Sequence, residues 1–165
     1  MKVVLTISRF EKQKCYPDNL KTCKELLKLR QDFEFWWVGT GSQDEKFKKL
    51  AKGLPIKFLG MRNDIPFLMK KADILFHPSN YEGCSNVLME AAHLKLPIVC
   101  RDIPENKEFF KDCAVFVTSP KDFAGAIHCL LTGLIPKWDY SNQKIFKLER
   151  MIKAYEQLYK HVERM

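Results

Sequence analysis

Short apolar runs of strand length alternate with amphipathic stretches along this chain, and that alternation admits one broad architecture. Runs at 2–8, 33–39, 56–59, 73–77, 97–101 and 114–118 predict six buried strands. The segments between them predict helices near 18–30, 43–52, 64–71, 85–95, 105–111 and 121–132. Strands separated by helices pair in parallel, because a crossover helix returns the chain to the same end of the sheet. The expected fold is therefore α/β, a doubly wound parallel sheet of about six strands with helices on both faces. With 165 residues, 46% of them hydrophobic, the chain suits a single domain. A last helix is expected at about 141–163, where Ile145, Leu148, Ile152, Tyr155, Leu158 and Tyr159 recur at helical spacing after a loop holding Pro136 and Trp138. Its apolar stripe suits packing on this sheet or on a neighbouring domain.

Several classes of protein lose ground on simple counts. The six cysteines form no C-x-x-C pair and several lie within apolar runs, so the reading is a reduced, cytoplasmic protein, possible peripheral attachment to the inner face of a membrane aside. No apolar stretch approaches the roughly 18–20 residues of a membrane span. The net charge of +8 suits an anionic partner: nucleic acid, a membrane surface or a phosphorylated small molecule. Lysines such as Lys21, Lys24 and Lys28 are scattered along one helix, and no basic block is interleaved with aromatics, which argues against nucleic acid.

In a doubly wound sheet, ligands bind beyond the carboxyl ends of the strands. Four such loops carry polar signals: Ser8 to Cys15, Gly39 to Ser42, Leu59 to Asp64 and His77 to Asn86. The first holds Arg9 and Lys14, a guanidinium fork and a point charge that together can neutralise a diphosphate. The second holds Gly39-Thr40-Gly41, which lacks the third glycine of a dinucleotide loop, and no Walker Gly-Lys-Ser/Thr occurs.

The fourth loop belongs to the segment from Pro78 to Glu90, in which Glu82 and Glu90 stand eight positions apart. On one unbroken helix they would lie about 80° apart in azimuth and about 12 Å apart along the axis. Gly83 argues against that helix. A helix beginning near Ser85 would instead aim its free N–H groups at the turn, with Glu82 before it and Glu90 two turns inside. Ser79-x-x-Glu82 also fits a capping box, which would make Glu82 a helix-start residue, and His77 at a strand end suits a structural role. No Asp-x-Asp pair and no Cys or His metal spacing occurs, so neither metal nor cofactor is expected.

Taken together, these residues resemble the C-terminal, donor-binding half of a GT-B glycosyltransferase, most closely the retaining glycosyltransferase family 4. The resemblance runs from Val3 to Tyr159. Glu82 and Glu90 match the family's E-x7-E motif, Arg9 and Lys14 its Arg-x4-Lys pair, and Val38-Gly39-Thr40-Gly41 its glycine turn. Phe58-Leu59-Gly60-Met61-Arg62-Asn63-Asp64 is similar to the segment that packs around the nucleotide base. The resemblance implies a Rossmann-like domain, one half of a GT-B fold, that transfers a hexose from a nucleoside diphosphate sugar to a glycan or lipid hydroxyl with retention, by a metal-independent route. It assigns the diphosphate to Arg9 and Lys14, the transferred sugar to Glu82 and the ribose to Glu90. It assigns substrate contacts to Gly83, Cys84, Ser85, Asn86 and Val87, and also to Gly39, Gly41, Leu59, Gly60, Met61 and Arg62.

The chain departs from the family pattern at several positions. Ser8, Cys15 and Lys95 stand where glycine is common, and 102–106 lacks the usual glycine near the sugar. The family also pairs this half with an N-terminal acceptor-binding domain, so the expectation is one domain or subunit of a larger enzyme, with little transfer activity alone. A non-catalytic nucleotide-sugar-binding subunit and a basic nucleic-acid-binding domain are the alternative readings.

Overall fold

A computed structural model describes residues 1–134. Six strands, β1 (Lys2–Ile7), β2 (Phe33–Val38), β3 (Ile56–Gly60), β4 (Ile74–His77), β5 (Ile98–Arg101) and β6 (Ala114–Val117), form one sheet in the order β3-β2-β1-β4-β5-β6. Every pairing is parallel. Consecutive elements first build outward from β1 to β3, then cross to β4 and build the other way. The reversal falls between β1 and β4, and in open α/β sheets the ligand crevice lies beyond the carboxyl ends of the strands at such a point. The expected Rossmann-like architecture is the one observed, and each strand lies within a residue or so of its expected position. The expected final helix at about 141–163 lies outside the described residues.

The described residues hold six α-helices, α1 (Tyr16–Leu27), α2 (Asp44–Leu50), α3 (Ile65–Lys71), α4 (Asn86–His93), α5 (Pro104–Phe110) and α6 (Pro120–Thr132). They cover both sides of the sheet. On one, Leu20 and Leu26 of α1, Phe47 of α2 and Phe123 and Ile127 of α6 pack on Val4, Phe35, Trp37 and Phe76. On the other, Leu68 of α3, Leu88 and Ala91 of α4 and Phe110 of α5 pack on Leu5, Leu75, Ile98 and Cys100. The β1 and β4 cores are buried throughout, which is why these strands read as continuous apolar runs. Helix α1 starts at Tyr16, earlier than its periodicity predicts, because Pro17 is suited to a first turn where its missing N–H costs nothing. It also ends early, at Leu27: Lys28 and Leu29 turn back onto Glu25 O and Leu26 O, three residues before each.

The substitutions for glycine have a backbone explanation at two sites. Cys15 (φ 51°) and Lys95 (φ 58°) are the two non-glycine residues in the left-handed region among the described residues. At Lys95 the chain closes α4 with paired bonds, Lys95 N–H to Ala92 O (3.1 Å) and Leu96 N–H to Ala91 O (2.9 Å), a geometry that favours glycine. Lys95 is exposed, so its side chain gains little in return. Lys95→Gly is expected to raise stability by about 0.5–1 kcal/mol, the strain of a left-handed side chain less the added freedom of the unfolded chain. Urea unfolding checks this; a loss of stability would contradict it.

Candidate functional site

The first loop of the crevice is held by an aromatic anchor. Phe10 is buried and meets Tyr16 edge-on at 4.3 Å between centroids, with Trp37 and Phe58 also packed around it. Burying Phe10 leaves Arg9 on the exposed side of the chain. A 3-10 turn, Lys12–Lys14, and the left-handed Cys15 then lead into α1, and the tight turn places Lys14 against the loop after β4.

Gly39 and Gly41 are required by this arrangement. A Cβ on Gly39 (φ 124°) would stand 2.1 Å from Ser8 O, and one on Gly41 2.6 Å from Phe10 N. The loop after β2 thus runs directly against the loop after β1, joined by Phe10 N–H to Thr40 O at 3.1 Å. At Ser8 the side chain is used: its hydroxyl lies 3.0 Å from the Tyr16 hydroxyl, which also reaches Ser8 O.

The loop after β4 is sewn to the first loop. Asn80 N–H donates to Gln13 O (3.0 Å), and the buried Ser79 hydroxyl, with one hydrogen to give, lies within bonding distance of both Gln13 O (3.2 Å) and Tyr81 O (3.0 Å). Ser79 is therefore a loop tie, and the capping-box reading of Ser79 and Glu82 falls away. Helix α4 starts instead at Asn86 with Ser85 at its N-cap, and Ser85 makes no side-chain capping bond. The N–H groups of Asn86, Val87 and Leu88 precede the first helical bond, Met89 N–H to Ser85 O, and so lack acceptors within the helix. At Gly83 nothing lies within 4 Å of where a Cβ would be, so the approach is open. Cys84 and Asn86 are also exposed there.

Three charged or titratable groups meet at one carboxylate oxygen. Lys14 Nζ lies 2.5 Å and His77 Nε2 2.6 Å from Glu82 Oε1, and the three side chains are only 13%, 3% and 11% exposed. Burial raises the Glu82 pKa, but hydrogen bonds and charge from His77, with Lys14 and Ser79, prevail and bring it from an ordinary 4.5 down to about 2. Because the folded value lies below the ordinary one, this carboxylate contributes stability above about pH 5 that is lost as pH falls toward 2. The shift corresponds to a contribution of order 3 kcal/mol. Glu82→Gln should lower the unfolding free energy at neutral pH and flatten its decline between pH 5 and 2. A parallel decline in both proteins, read by urea unfolding, would contradict the assignment.

Arg9 and Glu90 are the complement of that buried cluster. Both are exposed, and neither side chain has an ion-pair partner among the described residues. Arg9 shares an open cleft with Glu11, Lys12, Gln13 and Asn80. Glu90 lies on α4, whose Val87 and Met89 share an apolar cluster with Leu59 at the end of β3. Gly60 turns (φ 64°) and its carbonyl accepts from Gly39 N–H at 2.8 Å, so the ends of β2 and β3 are tied. Beyond it Met61 is largely exposed, while Arg62 is held in a two-bond fork by Asp64.

Arg101, at the carboxyl end of β5, is missing from the sequence reading. Its guanidinium donates to Pro78 O (2.8 Å), Thr118 O (2.8 Å) and the Asp18 carboxylate, and lies over the Phe123 ring. It joins α1, the loop after β4 and the end of β6. An arginine at the carboxyl end of a central strand was the available signal, obscured by 28 lysines and arginines in the chain.

Lys14, His77 and Glu82 thus meet directly, and the amides of α4 without helical acceptors follow a few residues beyond Glu82, while Arg9 lies in the cleft with Gln13 and Asn80; amides and cations of this kind suit an anion. Among the described residues no helix is long and apolar enough to cross a membrane. Comparison with known proteins is consistent with this chemistry. A family profile described as glycosyl transferases group 1 matches residues 1–133. An uncharacterized glycosyltransferase of Haemophilus influenzae is 33% identical over 102 residues, covering 59% of this chain and 29% of that protein. The lipopolysaccharide glucosyltransferase WaaG of Escherichia coli is 32% identical over 98 residues, 56% of this chain and 26% of its own length. The matched part therefore spans less than a third of either relative. Among solved structures, Anabaena HepE in complex with UDP-glucose superposes with a TM-score of 0.79 at 22% identity, covering 99% of this chain and 49% of that one.

Proposed function

Since the chain belongs to the group 1 glycosyl transferases, we propose that it is the donor-binding half of a retaining enzyme that moves a hexose from a nucleoside diphosphate sugar to a hydroxyl acceptor. The observation that supports this reading is the start of α4, whose first amides lack acceptors within the helix and follow closely on Glu82, the carboxylate that Lys14 of the first loop reaches at 2.5 Å. Glu90, unpaired among the described residues and exposed, suits a ribose diol, to which one carboxylate can offer two charge-assisted hydrogen bonds. Arg9, Lys14 and the amides of α4 would neutralise the diphosphate. Because that charge grows as the sugar departs, the same groups favour the transition state over bound donor. The reading needs neither a metal nor a protein nucleophile.

Glu82 is assigned an orienting and electrostatic role toward the transferred sugar. Gly83 to Val87 would line the sugar and diphosphate, and Leu59 to Arg62 the base. Gly39 and Gly41 act through the Arg9 loop that they support. An acceptor-binding domain, in cis or as a partner, completes the enzyme, and this half alone should bind donor and transfer little.

A thermal-shift panel of nucleoside diphosphate sugars, with inorganic sulfate as control, tests the reading. A ligand present at 100 times its Kd stabilises the fold by about 2.7 kcal/mol. One nucleotide class should raise Tm well beyond sulfate. Equal shifts for all anions would contradict the proposal.

A further inference from the structure

Resting on that donor-site reading, we propose that His77 is a positioning residue that takes over Glu82 when a donor diphosphate draws Lys14 away, binding a proton as it does so. Lys14 and His77 share Glu82 Oε1, at 2.5 and 2.6 Å. A diphosphate, carrying two negative charges, competes with this oxygen for the Lys14 ammonium. Of the two partners, Lys14 carries its charge on a flexible stem from the turn whose Lys12 and Gln13 line the Arg9 cleft, whereas His77 is 2% exposed on β4, between β1 and β5. Lysine is free to leave; the imidazole is not.

The charge accounting then fixes what must happen to the imidazole. Glu82 is ionised and can only accept, so Nε2 carries the hydrogen in their bond. With Lys14 present, the ammonium already balances the carboxylate. Once Lys14 turns to the diphosphate, the buried carboxylate is left with the ring alone, and a proton taken from solvent at Nδ1 restores the balance. Charged and titratable groups come from each element around the ring, Asp102 and Cys113 among them through their effect on the neighbouring Cys100. Glu82 is on its own loop, Lys14 comes from the 3-10 turn, Cys100 lies directly across on β5, and Glu90 is on the helix packed over β4. Burial pushes the Cys100 thiol up, so it stays neutral, and Glu90 is exposed. Arg101 gives its guanidinium to Pro78 O, Thr118 O and the Asp18 carboxylate.

Isothermal titration of the full chain with UDP-glucose, repeated in buffers of different ionisation enthalpy, counts the protons exchanged. The probe's diphosphate is esterified at both ends and does not titrate near neutrality. The expected result is uptake approaching one proton at about pH 7.5–8, with affinity falling by at most about tenfold per pH unit as pH rises. Both His77→Gln, which keeps a donor toward Glu82 without a second proton, and Lys14→Met should abolish the uptake. Binding without uptake by the wild-type chain, or undiminished uptake in His77→Gln, would overturn the assignment of His77 and leave the donor site standing. Absence of UDP-glucose binding together with absence of binding of every other nucleoside diphosphate sugar would overturn both. Should His77→Gln fail to fold, imidazole nitrogen shifts in the wild-type chain decide: protonation of both nitrogens on adding UDP-glucose supports the proposal, and an unchanged ring contradicts it.

Discussion

Arg101→Met is expected to lower the free energy of unfolding by about 3 kcal/mol, as for the loss of one partner from a largely buried ion pair. Methionine keeps most of the apolar stem, so the change isolates the guanidinium. Its removal strands the half-buried Asp18 carboxylate and leaves Pro78 O and Thr118 O without their donor. Three elements separate in consequence, since α1, the loop after β4 and the end of β6 meet at this group. Urea unfolding reads the loss directly. Arg101→Lys should recover only part of it, because an ammonium supplies charge without the three-way fork. A loss below about 1 kcal/mol, the value of an exposed pair, would mean that the clamp is not coupled to the fold.

Glu90→Ala should weaken binding of the matching nucleoside diphosphate sugar by about 10- to 100-fold with little effect on stability. The estimate follows from charge-assisted hydrogen bonds contributing roughly 1.5–3 kcal/mol, at about 1.4 kcal/mol per tenfold. Glu90 is exposed and has no partner among the described residues to strand, so the fold should not notice its loss. The contrast with Arg9→Ala identifies which end of the donor each residue meets. Arg9→Ala should weaken donor and inorganic pyrophosphate alike and reduce the salt dependence of both. Glu90→Ala should spare pyrophosphate. Equal losses for donor and pyrophosphate in Glu90→Ala would remove Glu90 from the ribose.

The sheet was legible because its strands are buried on both faces and therefore spell themselves as uninterrupted apolar runs, as in Ile74-Leu75-Phe76. The start of α4 was legible for a different reason: Gly83 breaks any helix that would have carried Glu82 into it. Helix ends were less so, because α1 stops where Lys28 and Leu29 tighten into shorter turns that no side-chain pattern announces. At the site, local motif and spacing singled out Arg9, Lys14, Glu82 and Glu90. They could not reveal that Lys14 and His77 share one oxygen of Glu82, a meeting of three segments that depends on how two loops are tied through Gln13. Arg101 escaped for the same reason, since its partners lie 17, 23 and 83 residues away. The positive φ values of Cys15 and Lys95 explain two apparent departures from pattern that composition alone leaves unaccounted for.

Amide chemical shifts recorded while the chain is titrated with UDP-glucose test the central claim most directly. If Arg9, Lys14, Glu82, Glu90 and the start of α4 together hold the donor, perturbations should concentrate at Arg9 to Lys14, Leu59 to Arg62 and Glu82 to Glu90, and saturate at one shared Kd. Perturbations confined to surface lysines, such as Lys21, Lys24 and Lys28, or spread evenly over the chain without saturation, would contradict it.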